Sequence, residues 1–169
     1  MDLKEYIQNE FASLERIAGR VTDGLTQEEL SWRPASGCNS IGLILFHVAR
    51  FEDSIVQGRI MGGSPIWQTE QWYASLNVPE DEMGAHYTAE QVDAFPVPDI
   101  KSLIAYSVTV RARTMDCLKE MPSDGFDRKV QMMRGESPVA GVFALIVAHA
   151  SGHLGEISYL RGMQRGMDK

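Results

Sequence analysis

Apolar residues recur at intervals of three and four along four long stretches of the chain, the period of an amphipathic α-helix. These stretches predict helices over about 3–22, 40–57, 100–121 and 138–164. Few segments alternate with a period of two, and only residues near 129–133 are expected to be extended locally. The pattern therefore predicts an all-α fold with four long helices.

The polar residues beside these stretches predict where the helices begin. Ser, Thr, Asp and Asn side chains can accept a hydrogen bond from a free backbone N–H group of the first helical turn. Two of the candidates have Glu or Gln three residues later and so match a capping box. Pro138 is expected at the first position of the last helix, where it costs no hydrogen bond. The residues expected to cap helices are Thr26, Ser40 (or Asn39), Thr88, Asp99 and Ser137.

A long connection of irregular sequence separates the second and third predicted helices. Residues 58–98 are rich in Gly and Pro and include Trp67, Trp72 and Tyr73. Long connections inside a compact domain are often functional, so these aromatic side chains are candidates for the wall of a substrate pocket, with core packing as the alternative. Four helices with one long crossover between helices 2 and 3 describe a four-helix bundle, expected as one domain over residues 1–169.

Composition narrows the range of partners. The 169 residues carry a formal net charge of -7 and contain no basic run, which argues against a nucleic-acid partner. Cys38 and Cys117 are too few for a disulfide scaffold and are expected to be reduced thiols in a cytoplasmic protein. No apolar run approaches the roughly 18 residues that a transmembrane helix requires, so no membrane partner is expected.

Three of the four histidines form a candidate metal site. His149 and His153 are four residues apart, which places both imidazoles on one face of the fourth helix. His47 lies in the middle of the second helix and points toward its apolar stripe. It is either a core histidine with a hydrogen-bond partner or a third ligand that faces the pair, as in helical bundles that hold metals between facing helices.

Further polar and small residues accompany this site. Glu156 shares the face of His149 and His153, so it is a candidate fourth ligand, catalytic general base or acceptor for an imidazole N–H group. His86 lies in the crossover and is expected to be a solvated loop residue, with a pocket role as the alternative. Gly152 and Gly155 are predicted to let another helix approach the histidine face closely.

Several stretches together resemble the DinB/YfiT superfamily of four-helix bundles. They are LSWRP at residues 30–34, NSIGLILFHVARFE at 39–52 and HASGHLGEI at 149–157, in the same order and with a similar long gap between the first histidine and the pair. The resemblance implies that His47, His149 and His153 match the metal triad of that family. Relatives often carry Gln at the position of Glu156, and the acidic residue here is expected to alter the metal preference.

The resemblance also implies a range of activities. Relatives include thiol-dependent transferases that use bacillithiol or mycothiol, a thiol-dependent isomerase and many proteins without a known activity, and dimers are common. Three neutral imidazoles leave coordination positions open, which is typical of a catalytic site. We therefore expect one divalent ion (Zn, Ni, Fe or Mn), a low-molecular-weight thiol as co-substrate, a small electrophilic substrate and a homodimer. The alternatives are a metal-dependent hydrolase and a non-catalytic metal- or ligand-binding stress protein, so whether the chain is an enzyme stays open.

Overall fold

Four long helices dominate a computed structural model that describes residues 1–166. They are α1 (Leu3–Thr22), α3 (Ile41–Asp53), α7 (Ile100–Glu120) and α8 (Val139–Arg165). Helix α3 packs against both α7 and α8, and α1 packs mainly against α8. The predicted all-α bundle is therefore confirmed. Its largest fully buried side chains include Phe11, Phe46, Trp67, Leu103, Tyr106, Phe143, Ile146 and Ile157. The last residues of the predicted 1–169 domain, 167–169, lie outside the described range.

Most helix ends follow the predicted caps. Helix α1 has the predicted bounds, and the Ser40 hydroxyl accepts from the backbone N–H of Leu43 at the start of α3. Both predicted capping boxes form, at Thr26 before the short helix α2 (Gln27–Ser31) and at Thr88 before a short crossover helix. Asp99 caps α7 through the backbone N–H of Ser102. Local sequence therefore determines these starts.

Two predicted boundaries are wrong. The second helix does not end near residue 57, because α3 continues as a π-helical segment over Ser54–Ile60. Ser137 does not cap α8. It lies in strand β2 (Gly135–Pro138), which pairs antiparallel with β1 (Lys129–Met132) and places Ser137 opposite Val130. The hairpin extends the chain up to Pro138, so α8 begins one residue later than predicted, without a side-chain cap.

The crossover between α3 and α7 is structured and packs on the bundle. It contains α4 (Ile66–Thr69), α5 (Trp72–Leu76) and α6 (Ala89–Ala94), and a 3₁₀ turn over Ser123–Phe126 follows α7. Asp53 anchors the crossover at the end of α3. Its buried carboxylate accepts from the backbone N–H groups of Ile66 and Trp67, and from the Tyr106 hydroxyl. These bonds tie the crossover to α3 and α7 at once.

A buried ion pair also fixes α3 against α7. Both Glu52 oxygens accept from Arg111, at 2.8 and 2.7 Å, and Glu52 Oε1 accepts from the Thr114 hydroxyl at 2.7 Å. The Arg111 guanidinium also lies 4.4 Å from the ring centre of Phe11. Because Glu52 lies in the same helix as His47, this ion pair helps to set the orientation of α3, the helix that carries His47.

Helix α8 is long and apolar enough to cross a membrane by length and composition alone. Here its apolar face packs against α1 and α3. The predicted close helix approach at Gly152 and Gly155 is wrong for this chain, because an added Cβ would meet nothing within 4 Å at either position. That face of α8 is exposed.

Candidate metal centre

Three histidines from two helices converge where α3 packs against α8. The side chains of His47, His149 and His153 each offer a ligand nitrogen, and these nitrogens lie within 4.8 Å of one another. The ring centres are 4.8 Å apart for His47 and either partner, and 4.5 Å apart for His149 and His153. The α-helical spacing of the pair and the position of His47 in the middle of α3 create this cluster.

Hydrogen bonds outside the cluster orient two of the three rings. His47 Nδ1 donates to the Gly84 carbonyl at 2.6 Å, and His153 Nδ1 donates to Glu156 Oε2 at 2.8 Å. The Nε2 atoms of His47 and His149 face each other at 2.9 Å. When Nδ1 of a neutral imidazole carries the proton, Nε2 keeps its lone pair for a metal. The outer acceptors therefore select the tautomer that a metal ligand needs.

Burial keeps two of the rings neutral. Burial, followed by the charges of His153 and His47, lowers the pKa of His149 to about 4. Burial also lowers the pKa of His47, against the opposing effect of its hydrogen bond to Gly84. Imidazole binds a metal only in its unprotonated form. Both rings are therefore in the binding form at neutral pH.

The aromatic side chain of Phe51 packs against the histidine cluster. The Phe51 ring stacks on His149, with ring centres 3.9 Å apart and planes 22° apart. Phe51 lies four residues after His47, so one turn of α3 provides both a candidate ligand and the surface that holds another. This contact restricts the His149 ring. Within residues 1–166, no hydrogen bond to His149 Nδ1 is observed.

A cavity of about 260 Å³ opens on one side of the cluster. His47 and His153 form its floor, and the crossover contributes His86 and Tyr87 to its wall. The His86 side chain is exposed, and its backbone has φ +62°, a left-handed conformation that is uncommon for a residue other than glycine. The predicted loop position of His86 is therefore correct, and the alternative of a pocket residue is also realised.

The donor set fits one transition-metal ion. Two nitrogens bound to a tetrahedral zinc at about 2.0–2.1 Å lie about 3.3 Å apart. The Nε2 atoms of His47 and His149 are 2.9 Å apart, and no pair among the three ligand nitrogens exceeds 4.8 Å, so small ring movements would satisfy this geometry. Carboxylate and carbonyl acceptors on the remote nitrogens are the partners that metal-bound imidazoles usually have. The three histidines can therefore hold one ion.

The sequence identified the histidines and offered Glu156 as an acceptor for an imidazole N–H group, but it missed two other contacts that orient the rings. Neither the Gly84 carbonyl nor the stacked Phe51 ring was expected to support the site. The Glu156 carboxylate accepts a hydrogen bond from His153 Nδ1, the nitrogen that points away from the cluster. Glu156 lines a depression other than the cavity described above, together with Cys38 and Tyr159. Of its three predicted roles, the observed contact is that of an acceptor for an imidazole N–H group. A periodic pattern cannot show the Gly84 contact, because it joins α3 to the crossover.

The fold and the site together define a class of protein, the helical bundles that carry a three-histidine cluster able to hold a metal between two helices. The chain belongs to the DinB superfamily, whose sequence profile matches residues 12–157. The fold is similar to that of a conserved protein from Enterococcus faecalis, known from a crystal structure, with a TM-score of 0.85 and 18% sequence identity over 99% of both chains. A comparison with curated proteins finds no match.

Proposed function

We propose that this protein binds one divalent metal ion through His47, His149 and His153 and catalyses transfer of a low-molecular-weight thiol to a small electrophile. The observation that carries the proposal is the convergence of three imidazoles, two of which line an open cavity. Three protein ligands leave positions for other molecules, as in catalytic sites. The ion would be Zn, Ni, Fe or Mn, since the ligand set does not select among these metals.

The metal and the residues around the cluster would have different roles in the reaction. A bound ion would lower the pKa of a thiol and favour the thiolate, which is the nucleophile. The Gly84 carbonyl and the Glu156 carboxylate hold two of the imidazoles in place. The thiol sulfur would bond to an electrophilic carbon, the thiol proton would pass to water, and the leaving group would take the electron pair of the broken bond. The cavity wall, including Tyr87, would contact the electrophile.

The position of Glu156 argues against a hydrolase in which Glu156 is the general base. Such a base would lie within hydrogen-bond reach of a water molecule in the cavity. The Glu156 carboxylate is instead engaged with His153 Nδ1 and lines a neighbouring depression that shares Asn39 and Ile44 with the cavity. A metal-bound hydroxide would need no such base, so turnover measurements distinguish thiol transfer from hydrolysis. A catalytic role for Glu156 stays a prediction, which a Glu156→Gln variant tests by its effect on turnover at unchanged metal content.

Turnover measurements on the metal-loaded protein test the proposal. Chlorodinitrobenzene serves as the electrophile, with cysteine, glutathione, bacillithiol and mycothiol as thiols, and nitrophenyl acetate without thiol probes hydrolysis. We expect conjugation that requires both a thiol and the metal and that is lost in the His153→Ala variant. Hydrolysis without any thiol would support a hydrolase instead. A metal that raises the melting temperature without any turnover would indicate a non-catalytic binding protein.

The proposed partners and location follow from the same account. The substrate is expected to be a small molecule, which would contact the lining of the cavity of about 260 Å³. A homodimer in the cytoplasm remains the expected state. Sedimentation at several protein concentrations measures the dimer directly.

A further inference from the structure

The crossover segment that covers the cluster is held in shape by one carboxylate. Glu82 Oε1 accepts from the backbone N–H of Gly84 at 3.0 Å and from the Tyr87 hydroxyl at 2.8 Å. The backbone carbonyl of Glu82 accepts from Arg50 Nη2 at 3.4 Å. One side chain thus closes the loop over residues 82–87, and α3 holds the same loop from below.

This loop supplies the acceptor for His47. Its Gly84 carbonyl accepts from His47 Nδ1 at 2.6 Å. Gly84 has φ +74°, and an added Cβ would lie 3.0 Å from Arg50 Cβ and 3.3 Å from Phe46 Cε1. Only glycine fits such a backbone pressed against α3. The position of the carbonyl therefore depends on two contacts, the packing of Gly84 on α3 and the hydrogen bond from Gly84 N–H to Glu82.

We propose that Glu82 is a positioning residue of the histidine centre, acting on His47 through the Gly84 backbone. The Glu82 carboxylate holds the Gly84 N–H group, and this restricts the Gly84 backbone so that the carbonyl on the other side of its Cα faces His47 Nδ1. The carbonyl then fixes the proton on Nδ1 and leaves the Nε2 lone pair in the cluster. Partners of this kind change metal affinity about 10–100-fold when they are removed. The metal part of this inference rests on the proposed function, whereas the tautomer part stands on the hydrogen bonds alone.

The Glu82 carboxylate also connects His47, a candidate metal ligand, to the cavity wall. Tyr87 lines the cavity, and its hydroxyl shares Glu82 Oε1 with the Gly84 N–H group. Burial, followed by the bond to Glu82, raises the pKa of Tyr87, so the hydroxyl keeps the proton that it donates. Glu82 therefore holds both Tyr87 in the cavity wall and, through Gly84, His47 in the cavity floor.

Four variants separate positioning by hydrogen bonds from an effect of charge. Glu82→Gln keeps an oxygen that accepts from both donors but removes the charge. Glu82→Asp keeps the charge but is one methylene too short to reach both donors, and Glu82→Ala removes both features. Glu80→Ala is the matched control, because Glu80 is an exposed acidic residue of the same segment. Circular dichroism confirms that each variant is folded.

The first measurement is the affinity for Co²⁺, read from its visible absorption spectrum in competition with a chelator. We expect Glu82→Ala and Glu82→Asp to bind Co²⁺ about 10–100-fold more weakly than the wild type. Glu82→Gln and Glu80→Ala should stay close to the wild type. A loss in Glu82→Gln with retention in Glu82→Asp would show that charge matters and would overturn the proposal. If Glu82→Ala fails to fold, Glu82→Asp carries the same test.

The second measurement uses the metal-free protein and so does not depend on the proposed function. Nuclear magnetic resonance of the imidazole nitrogens reports which nitrogen of His47 carries the proton. We expect the Nδ1–H tautomer in the wild type and in Glu82→Gln, and a mixture of tautomers in Glu82→Asp. An unchanged tautomer in both Glu82→Ala and Glu82→Asp would refute the positioning role. A wild type that binds no metal would refute the proposed function and the metal part of this inference, and the tautomers would still decide whether Glu82 positions His47.

Discussion

Removal of Arg111 should expose how strongly the bundle depends on its buried ion pair. Glu52 is 4% exposed at its side chain, and Arg111 supplies two of the three hydrogen bonds that reach its oxygens. In an Arg111→Met variant the carboxylate would stay buried with only the Thr114 hydroxyl as partner. Breaking a buried pair in this way costs about 3–5 kcal/mol. That is a large part of the roughly 5–15 kcal/mol by which a folded domain is stable.

Urea unfolding of the metal-free protein measures this cost without any contribution from a bound ion. The matched control is Arg113→Met, two residues along the same helix, because Arg113 pairs with Glu70 in an exposed position and should change the free energy of unfolding little. A double variant, Glu52→Leu with Arg111→Met, should regain most of the lost stability because no buried charge is left unpaired. Equal losses for Arg111→Met and Arg113→Met would refute this reasoning.

Three further predictions concern the site and the packing around it. His86→Ala should keep its metal because His86 lies outside the group of nitrogens within 4.8 Å, and metal analysis of the folded variant that showed a loss would disprove the ligand assignment. Hydrogen bonds from Arg165 and from the Thr26 backbone N–H lower the pKa of Glu29 from 4.5 to about 2, so Glu29 stabilises the fold above pH 4.5 and loses this effect as the pH falls toward 2. In urea titrations over this range the stability advantage of the wild type over Glu29→Gln should therefore shrink, and a constant difference would contradict it. Gly42→Ala should lower the free energy of unfolding by about 1–3 kcal/mol because its Cβ would overlap a crossover valine, whereas Gly19→Ala meets open space and should raise it.

Local patterns predicted the parts of the fold that are determined locally. The bounds of α1 and the caps at Thr26, Thr88 and Asp99 depend on residues a few positions apart, so they could be read from the sequence. The cap predicted at Ser137 failed because pairing with Val130 extends the chain there. Strand pairing in a short hairpin leaves little periodic signal, and it overrode a sequence that was otherwise suited to a helix start.

The candidate site was also predictable only where it depends on local sequence. The spacing of His149 and His153 predicted the pair, and the resemblance to the DinB/YfiT superfamily implied His47 as its third member, which the residues alone left open. The orientation of those rings was not predictable, because it depends on contacts between distant segments, such as the bond from His47 to Gly84. The exposed surface at Gly152 shows the converse error, since a small residue in a helix does not by itself require a close neighbour.

The metal content of the purified protein decides whether the three histidines form a metal site. Plasma mass spectrometry of the purified protein, after reconstitution with Zn, Ni, Fe or Mn, is compared with the same measurement on His47→Ala. We expect one ion per chain in the wild type and little metal in the folded variant. A wild type that stays free of metal under every condition, or a His47→Ala variant that retains its metal in full, would contradict this expectation.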